Sequence, residues 1–204
     1  WVSYQTAYLK AHYPAEYMAA LMTRRFSDIG EITKLMEECK AMGIPTLGPD
    51  VNESYVEFGV NSKGEIRFGL SAIKGMGSGA AEAIVRERQA HGPYKDIYDF
   101  AERVNLKDVN RKAFESLALS GGFDCFALMR EQYLSANNKG EVFLDSLVRF
   151  GQQYQQDKVE AANSLFGGMT ADIAIALPPV PQAETWSRIE KLSREKELVG
   201  IYLS

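Results

Sequence analysis

The chain has 204 residues, 46% of them apolar and 25% charged, with a formal net charge of −4, which supplies one or two globular domains with a core and excludes a disordered polyelectrolyte. The acidic balance also excludes a surface coated in positive potential, so any nucleic-acid contact has to be local. No apolar run approaches the roughly 20 residues that cross a bilayer and no charged-then-apolar leader opens the chain, so a cytoplasmic location without a membrane partner is expected.

Trp1 opens in what reads as the middle of a helix and Ser204 follows an apolar run, so both ends are expected to continue into something larger. Val2 to His12 carries Tyr4, Ala7, Tyr8 and Ala11 at helical spacing and should stop at Tyr13, which precedes Pro14. Pro14 then starts a second helix, with Glu16 near its positive end and Tyr17, Met18, Leu21 and Met22 on one face. Asp28 with Glu31 resembles a capping box, and Ile29, Ile32, Leu35, Met36 and Cys39 form the stripe of a third helix closed by Gly43 and Pro45. After a polar, turn-rich stretch, Val56, Phe58 and Val60 alternate with Tyr55, Glu57 and Gly59, and Ile66, Phe68 and Leu70 alternate beyond Asn61-Ser62-Lys63-Gly64. That pattern predicts a β-hairpin with one buried face and a four-residue loop, the only clear strand signal in the chain.

Three short helices are predicted next, over Gly79–Gln89, Asp96–Val104 and Asn110–Leu119, the last ended by Gly121-Gly122. Phe143, Leu147, Phe150 and Tyr154 mark a longer amphipathic helix, with Asn137-Asn138-Lys139-Gly140 interrupting its start and Gln152 to Gln156 reading as a solvated helix end. Beyond Glu160 the sequence is linker-like, Pro178, Pro179 and Pro181 mark a boundary, a last helix is expected around Glu184–Glu197, and Val199 to Leu203 reads as the first strand of a further domain. The expected fold is mainly α: a helical bundle with one small β-hairpin and a tandem helix-hairpin-helix module. Cys39 and Cys125 lie among apolar neighbours without a CxxC pair, and are expected to be reduced, buried thiols and not a disulfide or zinc site.

The most informative segment runs from Ile73-Lys74-Gly75-Met76-Gly77-Ser78-Gly79 through Ala80-Ala81-Glu82-Ala83-Ile84-Val85-Arg86. It fits a helix-hairpin-helix. The glycines let the backbone take positive φ and approach another backbone closely. The following helix opens with free N–H groups and the positive end of its dipole facing a phosphate oxygen. Lys74, Ser78, Arg111 and Lys112 add side-chain donors beside Gly75, Gly77 and Gly79, contacts that position a protein on DNA without reading sequence. The dinucleotide fingerprint GxGxxA also matches, but it needs a second parallel strand ending in an acid, and none is visible. There is no GK[ST] for a P-loop. A packing-only glycine turn stays open, since eight Lys or Arg against six Asp or Glu between Leu70 and Lys112 is a small excess.

Asn163-Ser164-Leu165-Phe166-Gly167 places two large apolar residues in a polar stretch, a pattern suited to an extended peptide that plugs a partner's pocket or to a loop that touches the core. His12 and His91 have no Ser or Cys partner and no metal-ligand spacing, and the Asp residues read as turns and caps. No catalytic residue, metal ligand or cofactor site is expected within the chain.

The order of these motifs resembles the bacterial DNA polymerase III alpha subunits, the C-family replicative polymerases. Val2 to Pro14 looks like the end of their fingers; Pro49-Asp50-Val51-Asn52, the hairpin, Arg67-Phe68-Gly69-Leu70 and Ile73-Lys74-Gly75 look like the approach to their helix-hairpin-helix; Gly121-Gly122-Phe123-Asp124 resembles the end of that module; and Glu197 to Ser204 resembles the lead into an OB domain. The resemblance implies fingers over residues 1–54, hairpin and DNA-binding module over 55–128, an amphipathic helical segment over 129–160, a linker with a clamp-binding peptide over 161–183, and a helix leading to an absent OB domain over 184–204. It implies a parent that is a DNA-directed DNA polymerase extending primers with deoxynucleoside triphosphates on Mg2+, whose catalytic aspartates lie in a palm outside this chain. The partners implied are double-stranded or primed DNA, the sliding clamp and other replicative holoenzyme subunits, with Ser164, Leu165 and Phe166 in the clamp peptide and Ala162 where the family prefers Gln.

Overall fold

Helix ends fall where local chemistry puts them. In the computed structural model, which describes residues 1–137, 140–163 and 175–200, Tyr13 breaks helix α1 (Val2–His12) from α2 (Pro14–Arg25), and the Asp28 carboxylate accepts from Glu31 N–H at 3.2 Å to start α3 (Ile29–Ala41). Asp96 caps α5 (Ile97–Arg103) by accepting from Tyr98 and Asp99 N–H, Asn110 caps α6 (Arg111–Ser120), and Gly121 ends α6 in the left-handed region at φ +89°. With α4 (Ser78–His91), α7 (Arg130–Leu134), α8 (Phe143–Asn163) and α9 (Arg188–Val199), the described residues are mainly α, as expected.

The sheet is smaller and differently connected than the alternation predicts. Strands β2 (Gly59–Val60) and β3 (Ile66–Arg67) pair antiparallel, but β1 (Thr46–Leu47), unforeseen in the sequence, adds to the other edge of β3 in parallel, giving the order β1-β3-β2. The hairpin pairing resumes past an interruption, where Leu70 N–H donates to Tyr55 C=O at 3.0 Å and Ser71 N–H to Val56 C=O at 2.9 Å. Gly69 sits at the interruption because a Cβ there would stand 2.7 Å from Phe58 N. The loop has five residues, Asn61 to Glu65, with the Asn61 side chain accepting from Lys63 and Glu65 N–H. Phe58, Ile66, Phe68 and Leu70 are buried, whereas Val56 and Val60 are only partly so.

An aromatic cluster joins the helical half. Phe100 lies 5.2 Å from Phe114, 5.0 Å from Phe123 and 4.8 Å from Tyr94 between ring centroids, edge to face in each case, the arrangement favoured by ring quadrupoles. Pro49-Asp50-Val51-Asn52 is the staple between this cluster and the sheet. Val51 N–H donates to Gly122 C=O, Arg88 to Val51 C=O, and Asn52 both donates to Tyr94 C=O and accepts from Tyr94 N–H, each side-chain bond at 2.8 Å. Ser54 Oγ, fully buried, accepts from Asp50 N–H and donates to Phe68 C=O.

Helix α1 has the bounds its spacing predicts but buries no residue, Trp1 and Tyr4 being 89% and 67% exposed. Three further expectations need correction. Gln152 to Gln156 is not a solvated helix end, because α8 continues to Asn163 and Gln155 Nε2 donates to the Val104 carbonyl at 2.8 Å, capping the C-terminus of α5. The last helix is shifted, with Ser187 as its cap in place of a start near Glu184. Cys39 is buried but Cys125 is exposed as a residue, its sulfur 3.8 Å from Asn52 Nδ2; both thiols are free. Ser164, Leu165 and Phe166, and the part of the predicted terminal strand from Ile201 on, lie outside the described residues.

Candidate nucleic-acid interface

The first hairpin is built from a 3-10 turn, Leu70–Ala72, followed by Ile73 and Met76, whose side chains are 1% and 6% exposed and anchor the loop in the core. Met76 N–H closes the turn on Ile73 C=O at 3.0 Å, and Gly75 stands in its third position at φ +88°, where a type II turn needs a residue without Cβ. Gly75 also faces α6: a Cβ added there would lie 2.7 Å from Ser116 Oγ and 3.2 Å from Lys112 Cε. Ser116 Oγ in turn donates to Lys74 C=O at 3.0 Å, so the first hairpin is fastened to the second helical pair.

Gly77 and Gly79 differ from Gly75 in kind. Gly77 is extended at φ −77°, and a Cβ added at Gly77 or Gly79 meets no atom of the described residues within 4 Å. Both face open space at the start of α4. That helix has no side-chain cap and no acid in its first turn. Among the described residues the N–H groups of Gly77, Ser78, Gly79 and Ala80 find no acceptor, the first intrahelical bond being Ala81 N–H to Gly77 C=O. These are the donors that a helix start leaves unsatisfied, and they carry its partial positive charge. Lys74 and Lys112 are exposed beside them.

The second hairpin, between α5 and α6, contains no glycine and is closed internally. Asp108 and Val109 N–H donate to Asn105 C=O, and Asn110 caps α6 by accepting from Ala113 N–H at 3.1 Å. Arg111 is already paired: its Nε donates to Asp145 Oδ1 at 2.7 Å and its NH1 to Glu115. The hydrogen bond to Asp145 leads in holding the guanidinium above its ordinary value, against desolvation. Lys74, Gly75, Gly77, Ser78, Gly79 and Lys112 therefore share one end of the two hairpins, while Arg111 sits at the same end of α6 in an ion pair with α8. Sequence reasoning missed Ser116 and Gln155. Ser116 had a faint signal, a small polar residue among the inward Ala113, Phe114 and Leu117; Gln155 had none.

Among the described residues, no group of three or more His, Cys, Asp or Glu side chains is placed to hold a metal ion, and no helix is long and apolar enough to cross a membrane.

Residues 43–133 match the family model for a helix-hairpin-helix motif. Over its whole length the chain is similar to DNA polymerase III subunit alpha of Pasteurella multocida (40% identity, 17% of that protein covered), of Chlamydia pneumoniae (41%, 16% covered) and of Thermus aquaticus (39%, 15% covered). The chain spans about a sixth of the length of these relatives.

Proposed function

Because the chain belongs, as a segment, to the DNA polymerase III alpha subunit family, we propose that it is the part of such a subunit that grips duplex or primed DNA without reading its sequence. One observation carries this reading: among the described residues four consecutive donors at Gly77 to Ala80 have no acceptor, no side-chain cap and no acid in the first turn, and the same loop carries the exposed Lys74 and, against Gly75, the exposed Lys112. A phosphate oxygen satisfies such donors directly, and glycines without neighbours let a nucleic-acid backbone approach to hydrogen-bond distance. Lys74 and Lys112 add charge that releases counterions on binding. Arg111, held by Asp145 and Glu115, contributes less than its sequence position suggests.

The parent's primer extension with deoxynucleoside triphosphates, and the Mg2+ it requires, belong on this reading to carboxylates elsewhere in the subunit. The segment also carries a docking peptide for the sliding clamp at Ser164, Leu165 and Phe166, supported by the two adjacent apolar residues in a polar stretch; Ala162 in place of the family's Gln leaves the apolar plugs as the source of affinity. Other holoenzyme subunits are further partners.

The test of the DNA grip is fluorescence anisotropy of a fluorescent primed duplex titrated with the full-length subunit at several salt concentrations. Each phosphate neutralised by this site adds about 0.9 to the magnitude of the slope of log affinity on log salt. Lys74→Ala with Lys112→Ala should lower that slope by about 1.8. An unchanged slope removes the hairpin from the interface and favours a module that binds protein alone. For the peptide, Leu165→Ala with Phe166→Ala should abolish retention on immobilised clamp, and undiminished retention refutes that assignment.

A further inference from the structure

Helix α9 ends against the hairpin. Its charged sequence buries one side only, Glu195 at 1% and Val199 at 3% exposed, with Leu198 partly covered between them. The Leu198 carbonyl, one of the acceptors that a helix C-terminus leaves free, accepts from Lys74 N–H at 2.9 Å. Gly200, left-handed at φ +85°, then closes the helix by donating to Lys196 C=O at 2.7 Å. Of the hairpin's N–H groups, that of Lys74 is therefore committed to α9, whereas those of Gly77 to Ala80 stay open.

What holds α9 at this height is a buried charge. Glu195 Oε2 accepts from Arg130 NH1 at 2.8 Å, with both side chains at least nine-tenths buried, and the other edge of the guanidinium is paired with Asp124, Nε to Oδ1 at 2.9 Å. A buried ion pair contributes little net stability over an apolar pair, but it penalises every arrangement that separates its partners. Sliding α9 by one residue, about 1.5 Å, pulls Glu195 off Arg130 and Leu198 C=O off Lys74 N–H together. Against the hairpin lies a half-open cleft of about 280 Å³ lined in part by Phe58, Phe68, Ile73, Met76 and Val199, so α9 forms part of its wall. The loop is held by Ser116 on one side and by α9 on the other.

Resting on the DNA-gripping reading above, we propose that α9 is a positioning element for that grip: the Glu195–Arg130 pair fixes the helix's register, and the Leu198 carbonyl fixes the first peptide of the glycine hairpin, so that the open N–H groups of α4 point at phosphate. Glu195 and Leu198 touch no DNA in this arrangement. The linker that ends in α9 is thereby tied mechanically to the DNA-binding loop.

The hairpin permits a clean test. Lys74 occupies the second position of the turn, where proline fits, and Ile73 at φ −73°, ψ 125° already has the extended backbone a following proline demands. Lys74→Pro removes both the charge and the N–H to Leu198; Lys74→Ala removes the charge alone. In the full-length subunit with primed duplex, Lys74→Pro should bind roughly fivefold more weakly than Lys74→Ala, the equivalent of one ordinary hydrogen bond. Its salt slope should be smaller by about a further 0.9, since one phosphate fewer is neutralised. Glu195→Gln, which keeps the shape, should lower the slope of the parent by a similar amount with an unchanged circular dichroism spectrum. A merely destabilised subunit loses active concentration but keeps its slope, so the slope separates positioning from folding. If Glu195→Gln does not fold, the two Lys74 variants decide alone. Equal affinity and slope for Lys74→Pro and Lys74→Ala overturns the positioning role while leaving the DNA grip intact. A slope that Lys74→Ala with Lys112→Ala fails to lower overturns the grip itself and the positioning role with it.

Discussion

Gly75 and Gly77 are two residues apart in one motif, and substituting each by alanine should move stability by very different amounts. At Gly75 the left-handed φ of +88° costs an alanine about 1–2 kcal/mol. The new Cβ, 2.7 Å from Ser116 Oγ, also displaces a hydroxyl whose residue is 3% exposed, and breaks its bond to Lys74 C=O, adding about 0.5–1.5 kcal/mol. Gly75→Ala should therefore destabilise by about 2–3 kcal/mol. At Gly77 the φ of −77° suits any residue and no described atom lies within 4 Å, so Gly77→Ala gains about 0.4–1 kcal/mol by restricting the unfolded chain, loses a similar amount because glycine is preferred to alanine at a helix N-cap, and should leave stability nearly unchanged. Urea unfolding followed by circular dichroism measures both; with a slope of about 2 kcal/mol per molar, the Gly75 variant's midpoint should fall by about 1–1.5 M and the Gly77 variant's should stay within about 0.3 M of the parent's. Binding should show the reverse, Gly77→Val weakening the hold on the primed duplex at a stability cost of no more than about 1 kcal/mol. A Gly75→Ala midpoint within 0.2 M or so of the parent, on the same scale, would refute the assignment of that glycine to the junction with α6.

Gly151→Ala in α8 should destabilise by about 1–3 kcal/mol, although helix propensity favours alanine, because the added Cβ drives into the Ala101 carbonyl, 3.1 Å from its carbon, and stands 3.0 Å from Leu106 Cδ1; thermal unfolding reads the sign. Asn52→Ala should cost about 1–3 kcal/mol by stripping Tyr94 N–H and C=O of their shared partner, and a midpoint unchanged in urea would show that the staple is dispensable. Cys125 is exposed as a residue, yet burial of the thiol, with Asp50 beside it, pushes it up to about 12, and burial pushes Cys39 up to about 11. At pH 8 both are protonated and should react with a disulfide reagent on the order of 100-fold or more below a free thiol of pKa near 8.5; stoichiometric labelling of the folded chain within seconds would contradict this.

The caps and glycines that start and stop α2 to α6 are local chemistry, and Pro14, Asp28, Asp96, Asn110 and Gly121 announce them within a residue or two. Strand β1 has no such signal: two residues have no period, and Thr46–Leu47 becomes a strand only because β3, some twenty residues later, offers its free edge. Gln155 reads as solvent-facing in a run of glutamines, and only the placement of α8 across the end of α5 turns one of them inward to a carbonyl. The same limit applies inside the glycine motif. Sequence identifies Gly75, Gly77 and Gly79 as positions without a side chain but cannot say what occupies the space. For Gly75 it is the chain's own Ser116 and Lys112, so its glycine is required by the fold; for Gly77 and Gly79 it is nothing among the described residues, which leaves both glycines to the docking partner proposed above. A glycine that no described neighbour requires, at a helix start with four unsatisfied donors, is the stronger argument for a ligand than the motif taken whole, because packing alone would have allowed a capping serine or aspartate at Gly77 and the few tenths of a kcal/mol that such a cap adds over glycine.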